Sequence, residues 1–142
     1  MSFSQSFAER PADSRKEMKE NDLSYIIRGA AFKVHSVLGP GLLESSYETA
    51  LAHELKKEGL AIKTQVGLPM IYDSIKMDIG YRIDLLVNNL VIVEIKSVEN
   101  LLDVHHKQLL TYLKLADKKL GLLMNFNVSS MKDGIVRIVN NL

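Results

Sequence analysis

The chain has 142 residues, no cysteine, 18 basic against 17 acidic side chains and a formal net charge of +1. That length suits one domain with one real core, and the lack of cysteine excludes disulfides and thiolate metal sites and fits a reducing, cytoplasmic setting. Near-neutral charge is not the strongly basic profile of many nucleic-acid binders, although a metal-dependent enzyme can offset phosphate charge with bound cations; no apolar run is long enough for a membrane-spanning helix.

Residues 1–21 are polar, mixed in charge and without period, which predicts a flexible N-terminal arm. They hold no apolar stretch followed by a cleavage site, so no secretory leader is expected. The single domain is expected over residues 22–142. Leu23, Ile26, Ile27, Ala30, Val34, Val37 and Leu38 recur at helical spacing, with Asp22 as the expected N-cap. "LGPG", Leu38–Gly41, ends that helix and turns the chain. A second helix is expected to bury Leu43, Tyr47, Ala50, Leu51 and Leu55, with Lys56 and Lys57 at its C-terminal dipole and Gly59 just beyond.

Residues 61–98 change to a period of two and are broken at Gly67, Asp73-Ser74 and Asn88-Asn89, predicting three or four antiparallel strands. Asp103 is the expected cap of a third helix reaching about Asp117, with Leu109, Leu110, Leu113 and Ala116 inward. "LGLLMNF", Leu120–Phe126, reads as a buried strand and "GIVRIVN", Gly134–Asn140, as an edge strand able to pair with a second copy. The order is α, α, a β meander, α, β, β: an α/β sandwich with a mixed sheet.

"VIVEIKSV", Val91–Val98, is a core strand interrupted by Glu94 and Lys96, which share a face because strand side chains alternate. The preceding strand carries Arg82 and Asp84. A two-residue Asn88-Asn89 loop would pair Asp84 with Val93 and mix the apolar faces. One further residue in the loop pairs Asp84 with Glu94 and aligns Val91, Val93 and Ile95 with the apolar positions opposite. Burial selects the second register. Two adjacent carboxylates repel unless a cation lies between them. Hard oxygen ligands with room for water and phosphate suit Mg²⁺ or Mn²⁺, and a neighbouring lysine can steer water or offset developing negative charge. The same spacing also allows an interstrand ionic cluster in which Arg82 and Lys96 balance Asp84 and Glu94.

Asp84 followed by "Glu94-Ile95-Lys96" resembles the D…ExK signature of the PD-(D/E)XK nuclease superfamily. "GLLESSY", Gly41–Tyr47, is similar to the motif that names the prokaryotic GxxExxY family within it, and "GAAFKVHSVLGPG", "GYRIDLLV", "VHHKQLLTYL" and "LGLLMNF" resemble that family's pattern in the same order. The resemblance runs from about Leu23 to Asn140. It implies a restriction-endonuclease-like sandwich with an αβββαβ core, an added N-terminal helix and an added C-terminal strand.

For function it implies an Mg²⁺- or Mn²⁺-dependent nuclease acting on nucleic acid, DNA before RNA. Asp84 and Glu94 would be metal ligands together with the Ile95 carbonyl. Glu44 would be an additional acid at that site, and Lys96 would position the attacking water. Gln108 and Tyr112 resemble the QxxxY element of RecB-like members. His105, Gln108 and Tyr112 also fall at i, i+3 and i+7 along one edge of the third helix. Core packing for Tyr112 and a helix-start hydrogen bond for His105 are the alternatives. Arg82, His105 and Tyr47 are candidates for substrate contact. No chemical role is apparent for His35. Lys56, Lys57, Lys118 and Lys119 read as solvated faces that could also hold a nucleic-acid backbone. The competing functional reading is a catalytically silent nucleic-acid- or partner-binding module on the same fold; a homodimer or larger assembly is compatible with either.

Overall fold

A computed structural model describes residues 18–78 and 80–142. Helix α1 spans Glu20–Leu38, α2 Glu44–Lys57 and α3 Asp103–Ala116; the strands are β1 Ile62–Gly67, β2 Met70–Tyr72, β3 Ile75–Met77, β4 Arg82–Val87, β5 Val91–Lys96, β6 Leu120–Asn125 and β7 Ile135–Val139. Five strands form one sheet in the order β1-β4-β5-β6-β7, parallel only between β5 and β6 and antiparallel elsewhere. Helix α3 is the crossover that a parallel pair requires. The expected α/β sandwich with a mixed sheet is the one observed. The meander holds five strands where three or four are expected, because β2 and β3 form a separate hairpin outside the main sheet.

Helices α1 and α2 cover one face. Leu23, Ile27 and Ala31 of α1 and Tyr47, Leu51 and Leu55 of α2 meet Leu85, Val87, Val91, Val93, Ile95 and Leu122 there. Helix α3 covers the other face, where Leu109, Tyr112 and Leu113 pack on Ile83, Leu86, Ile92 and Leu123. The pairing of β4 with β5 is the one burial demands: Val87 opposite Val91, Leu86 opposite Ile92 and Leu85 opposite Val93, where the ladder ends just before Asp84 and Glu94. The turn spans Asn88, Asn89 and Leu90, with both asparagines at positive φ (49° and 56°) and the Leu90 N–H donating to the Val87 carbonyl at 2.9 Å. Left-handed backbone costs about 1–2 kcal/mol per ordinary residue, and less at asparagine. Slipping the register by one residue would turn Glu94 and Lys96 into the apolar core under α1 and α2 and take Val91, Val93 and Ile95 out of it, so packing wins.

Several expectations shift locally. The predicted arm lies mostly in residues 1–17, outside the described residues, and the helix already includes Glu20 and Asn21. Asp22 is not the N-cap. Lys19 holds that position, and Asp22, three residues on, accepts from its N–H at 3.0 Å. Asp103 likewise falls inside the first turn of α3 and pairs with Lys107 at 3.0 Å, while Leu102 is the N-cap. Leu43 precedes the first turn of α2 and is 76% exposed rather than buried. On α3 the inward place goes to Tyr112, and Leu110 and Ala116 are only half-buried. Ile83 does not share the face of Leu85 and Val87 but packs under α3. The strand's alternation therefore breaks at Asp84.

Candidate active site

The break at Asp84 builds the site. The backbone ladder between β4 and β5 stops at Leu85 and Val93. Beyond it the strands part, and the Asp84 side chain fills the gap: Oδ2 accepts from the Ile95 N–H at 2.8 Å. A strand residue's N–H and C=O point to the same side, so the Ile95 carbonyl is directed into this gap as well. Glu94, in phase with Ile92, faces the α3 side and is 5% exposed. The cleft has a volume of about 440 Å³ and is lined by Glu44, Ser45 and Glu48 of α2, Gln65 of β1, Arg82 and Asp84 of β4, Glu94, Ile95 and Lys96 of β5, and Gln108 and Tyr112 of α3.

Charge in the cleft is poorly compensated. Glu94 Oε1 is buried without a hydrogen-bond partner. Burial, then the Asp84 carboxylate beside it, pushes the Glu94 carboxyl up to about 9, against a smaller opposing pull from Lys96. A neutral acid at physiological pH is what two crowded carboxylates reach when no cation separates them. Burial and the same carboxylates also push the Tyr112 phenol up to about 12. Glu48 is raised by burial, partly offset by its hydrogen bond from Gln65. None of the ion pairs among the described residues involves Arg82, Asp84, Glu94 or Lys96, so these four do not form the salt-bridge cluster their spacing allows.

Not every expected residue reaches the cleft. Tyr47 is fully buried and stacks on Phe126 with ring centroids 4.6 Å apart. Its hydroxyl donates to the Gly39 carbonyl at 2.6 Å and accepts from the Leu42 N–H at 3.0 Å. Full burial rules out substrate contact there; Tyr47 instead clamps the glycine-proline-glycine loop that leads into Glu44. His105 is absent from the lining, and its Nδ1 accepts from the Leu102 N–H at 3.0 Å, the helix-start alternative. His35, without a role in the sequence, donates from Nε2 to the Val128 carbonyl at 2.7 Å and ties α1 to the loop after β6. Glu48, Gln65 and Ser45 line the cleft without having been singled out. Glu48 follows Glu44 by one helical turn, and that i, i+4 spacing was the one available signal.

The donor set fits a hard divalent cation: an orphaned buried carboxylate oxygen, a second carboxylate beside it and a backbone carbonyl directed between them. Among the described residues no three histidine, aspartate or glutamate side chains close into a complete cage. The model of the PD-(D/E)XK nuclease superfamily matches residues 21–138 of the chain. No curated protein matches, and no solved structure does.

Proposed function

The chain belongs to the PD-(D/E)XK nuclease superfamily, and from that premise we propose that it is a metal-dependent nuclease. It hydrolyses phosphodiester bonds in nucleic acid, DNA before RNA, by one-step attack of an activated water. Within the superfamily the "GLLESSY" stretch supports a place in the GxxExxY family. The observation that carries the reading is the buried, unpartnered Glu94 carboxylate beside Asp84, with Lys96 in the same cleft. A fold would not keep that arrangement for stability, because it is costly until a cation arrives.

Asp84, Glu94 and the Ile95 carbonyl would hold Mg²⁺ or Mn²⁺, and Glu44, exposed at the start of α2, would reach it through water. When bound, the ion supplies Lewis-acid polarisation of the phosphate and acidification of water. Lys96 lies on the same strand face one pleat beyond Glu94; its ammonium orients the attacking water and stabilises negative charge on the phosphate. Gln108 and Tyr112 form the α3 wall, from which Gln108 would contact the phosphate or the lysine; the Tyr112 ring is 5% exposed and packs in the α3-side core, so it offers no face to a base. Exposed Arg82 offers a phosphate contact at the cleft mouth. The products would carry a 5′-phosphate and a 3′-hydroxyl. Strand β7 is an open sheet edge and supports pairing with a second copy.

The metal requirement tests the reading. Cleavage of a labelled DNA should vanish in EDTA, return with Mn²⁺ or Mg²⁺, and not return in Asp84→Ala. Cleavage that persists in EDTA contradicts it. The net charge of +1 favours, as second reading, a silent binding module whose partner supplies DNA affinity; that module would bind nucleic acid only together with its partner and cut none at any cation concentration.

A further inference from the structure

We propose that Gln65, anchored by Glu48, is a positioning residue that fixes the Asp84 carboxylate toward the cation. The inference rests on the metal-site reading above. Six non-glycine residues among those described have positive φ, and five of them are aspartate or asparagine: Asp73, Asn88, Asn89, Asp117 and Asn141. Those side chains tolerate the left-handed region. Gln65 is the sixth, at φ 51°, and it alone lies inside a strand. Strain of this kind persists only where surrounding contacts enforce it, and it gathers at functional sites.

The contacts are specific. Gln65 Nε2 donates one hydrogen to Glu48 Oε1 at 2.6 Å and the other to Asp84 Oδ1 at 3.3 Å. With the Ile95 N–H on Oδ2, both oxygens of Asp84 are engaged from the protein side. The carboxylate plane is therefore set, and its remaining lone pairs are left for the cleft. A neutral amide suits this place because it donates to two acids at once, where a third acid would add repulsion. Glu48 fixes which way the amide points, since only its nitrogen can face two carboxylates.

Calorimetric titration of the full chain with Mn²⁺ at pH 7.5, beside a thermal melt of each variant without metal, tests this. Gln65→Gly removes the amide and adopts the left-handed backbone freely. It should weaken Mn²⁺ binding about 10- to 100-fold, the effect usual for a lost partner of a metal ligand, with Tm no lower than the wild type's. Glu48→Ala should weaken binding to a similar degree. Glu48→Gln still offers an oxygen to the Gln65 amide and should stay within about threefold of the wild type. Wild-type affinity in Gln65→Gly, or a loss of affinity there matched by a lower Tm, overturns the proposal. So does a loss in Glu48→Gln as large as in Glu48→Ala, which would make Glu48 a ligand itself. Undiminished binding in Asp84→Ala, or none in the wild type, instead overturns the metal-site reading beneath it.

Discussion

Glu94 lies where hydrophobic strand chemistry and carboxylate chemistry conflict, and its protonation should register that conflict. In the fold it keeps its proton to about pH 9, because burial and Asp84 disfavour the anion. In the unfolded chain an ordinary glutamate loses its proton near pH 4.3. Between those values the unfolded state binds fewer protons than the folded one, so the metal-free protein loses stability as pH rises from 5 to 9. Glu94→Gln removes the titration; its urea midpoint should be nearly flat over that range and exceed the wild type's at pH 8 by more than about 1 kcal/mol of stability. Parallel pH profiles for the two proteins would contradict the assignment of the shift to Glu94. The pair Asp84–Glu94 was legible in the sequence because one register aligns the apolar faces of the two strands and the other mixes them. Gln65 was not: "IKTQVG" reads as a polar edge strand, and nothing in its alternation announces a left-handed residue reaching for an acid on α2.

At the level of elements, the ends of helices and strands place the chemistry. The turn Leu38–Gly41 swings α2 so that its first residues reach the cleft, and Gly39 and Gly41 take positive φ (69° and 94°) that other residues would resist. Tyr47 ties that turn to the core, and Ser97 Oγ, donating to the Leu42 carbonyl at 2.6 Å, ties it to the segment after Lys96. Tyr47→Phe keeps the stack on Phe126 but strips the Gly39 carbonyl and the Leu42 N–H of their partner. It should cost about 1–3 kcal/mol in chemical denaturation and lower cleavage through a displaced Glu44. A stability equal to the wild type's would show that the hydroxyl contacts hold nothing. Sequence periodicity located all three α-helices but missed the short 3-10 helix Met131–Gly134, and it misassigned the caps of α1 and α3. An aspartate before a helix is a good cap on local grounds, but Asp22 acts from the third helical position, accepting from the Lys19 N–H, and at α3 the N–H of the N-cap Leu102 goes to His105. The motif spacing in "GLLESSY" singled out Tyr47 as a candidate for substrate contact, because spacing alone could not say whether the ring faces substrate or core.

Across the whole molecule the cleft opens at one end of the sheet, where β5 and β6 finish and α2 begins. Lys118 and Lys119 precede β6 toward the opposite end, about 13–17 Å along the strand from Leu123, which pairs with Glu94, at 3.3 Å per residue. Lys56 and Lys57 close α2, about 20 Å from its first turn at 1.5 Å per residue. Lys57 is further engaged by Glu54 at 3.4 Å. Neither pair adjoins a phosphate seated at Asp84, so the basic surface read from the sequence does not flank the site. The cleft's own positive charge is Arg82 and Lys96. The activity proposed for this end of the sheet is phosphodiester cleavage with Lys96 at the reacting phosphate. Its most direct test is the cleavage rate of single-stranded, duplex, flapped and four-way DNA and of RNA in Mn²⁺, by wild type and by Lys96→Ala from matched preparations. The account predicts cleavage of at least one substrate by the wild type and a loss of about 100-fold or more in Lys96→Ala, with Mn²⁺ affinity retained. Equal rates for the two proteins, or no cleavage of any substrate by wild type with Mn²⁺ bound, would contradict it.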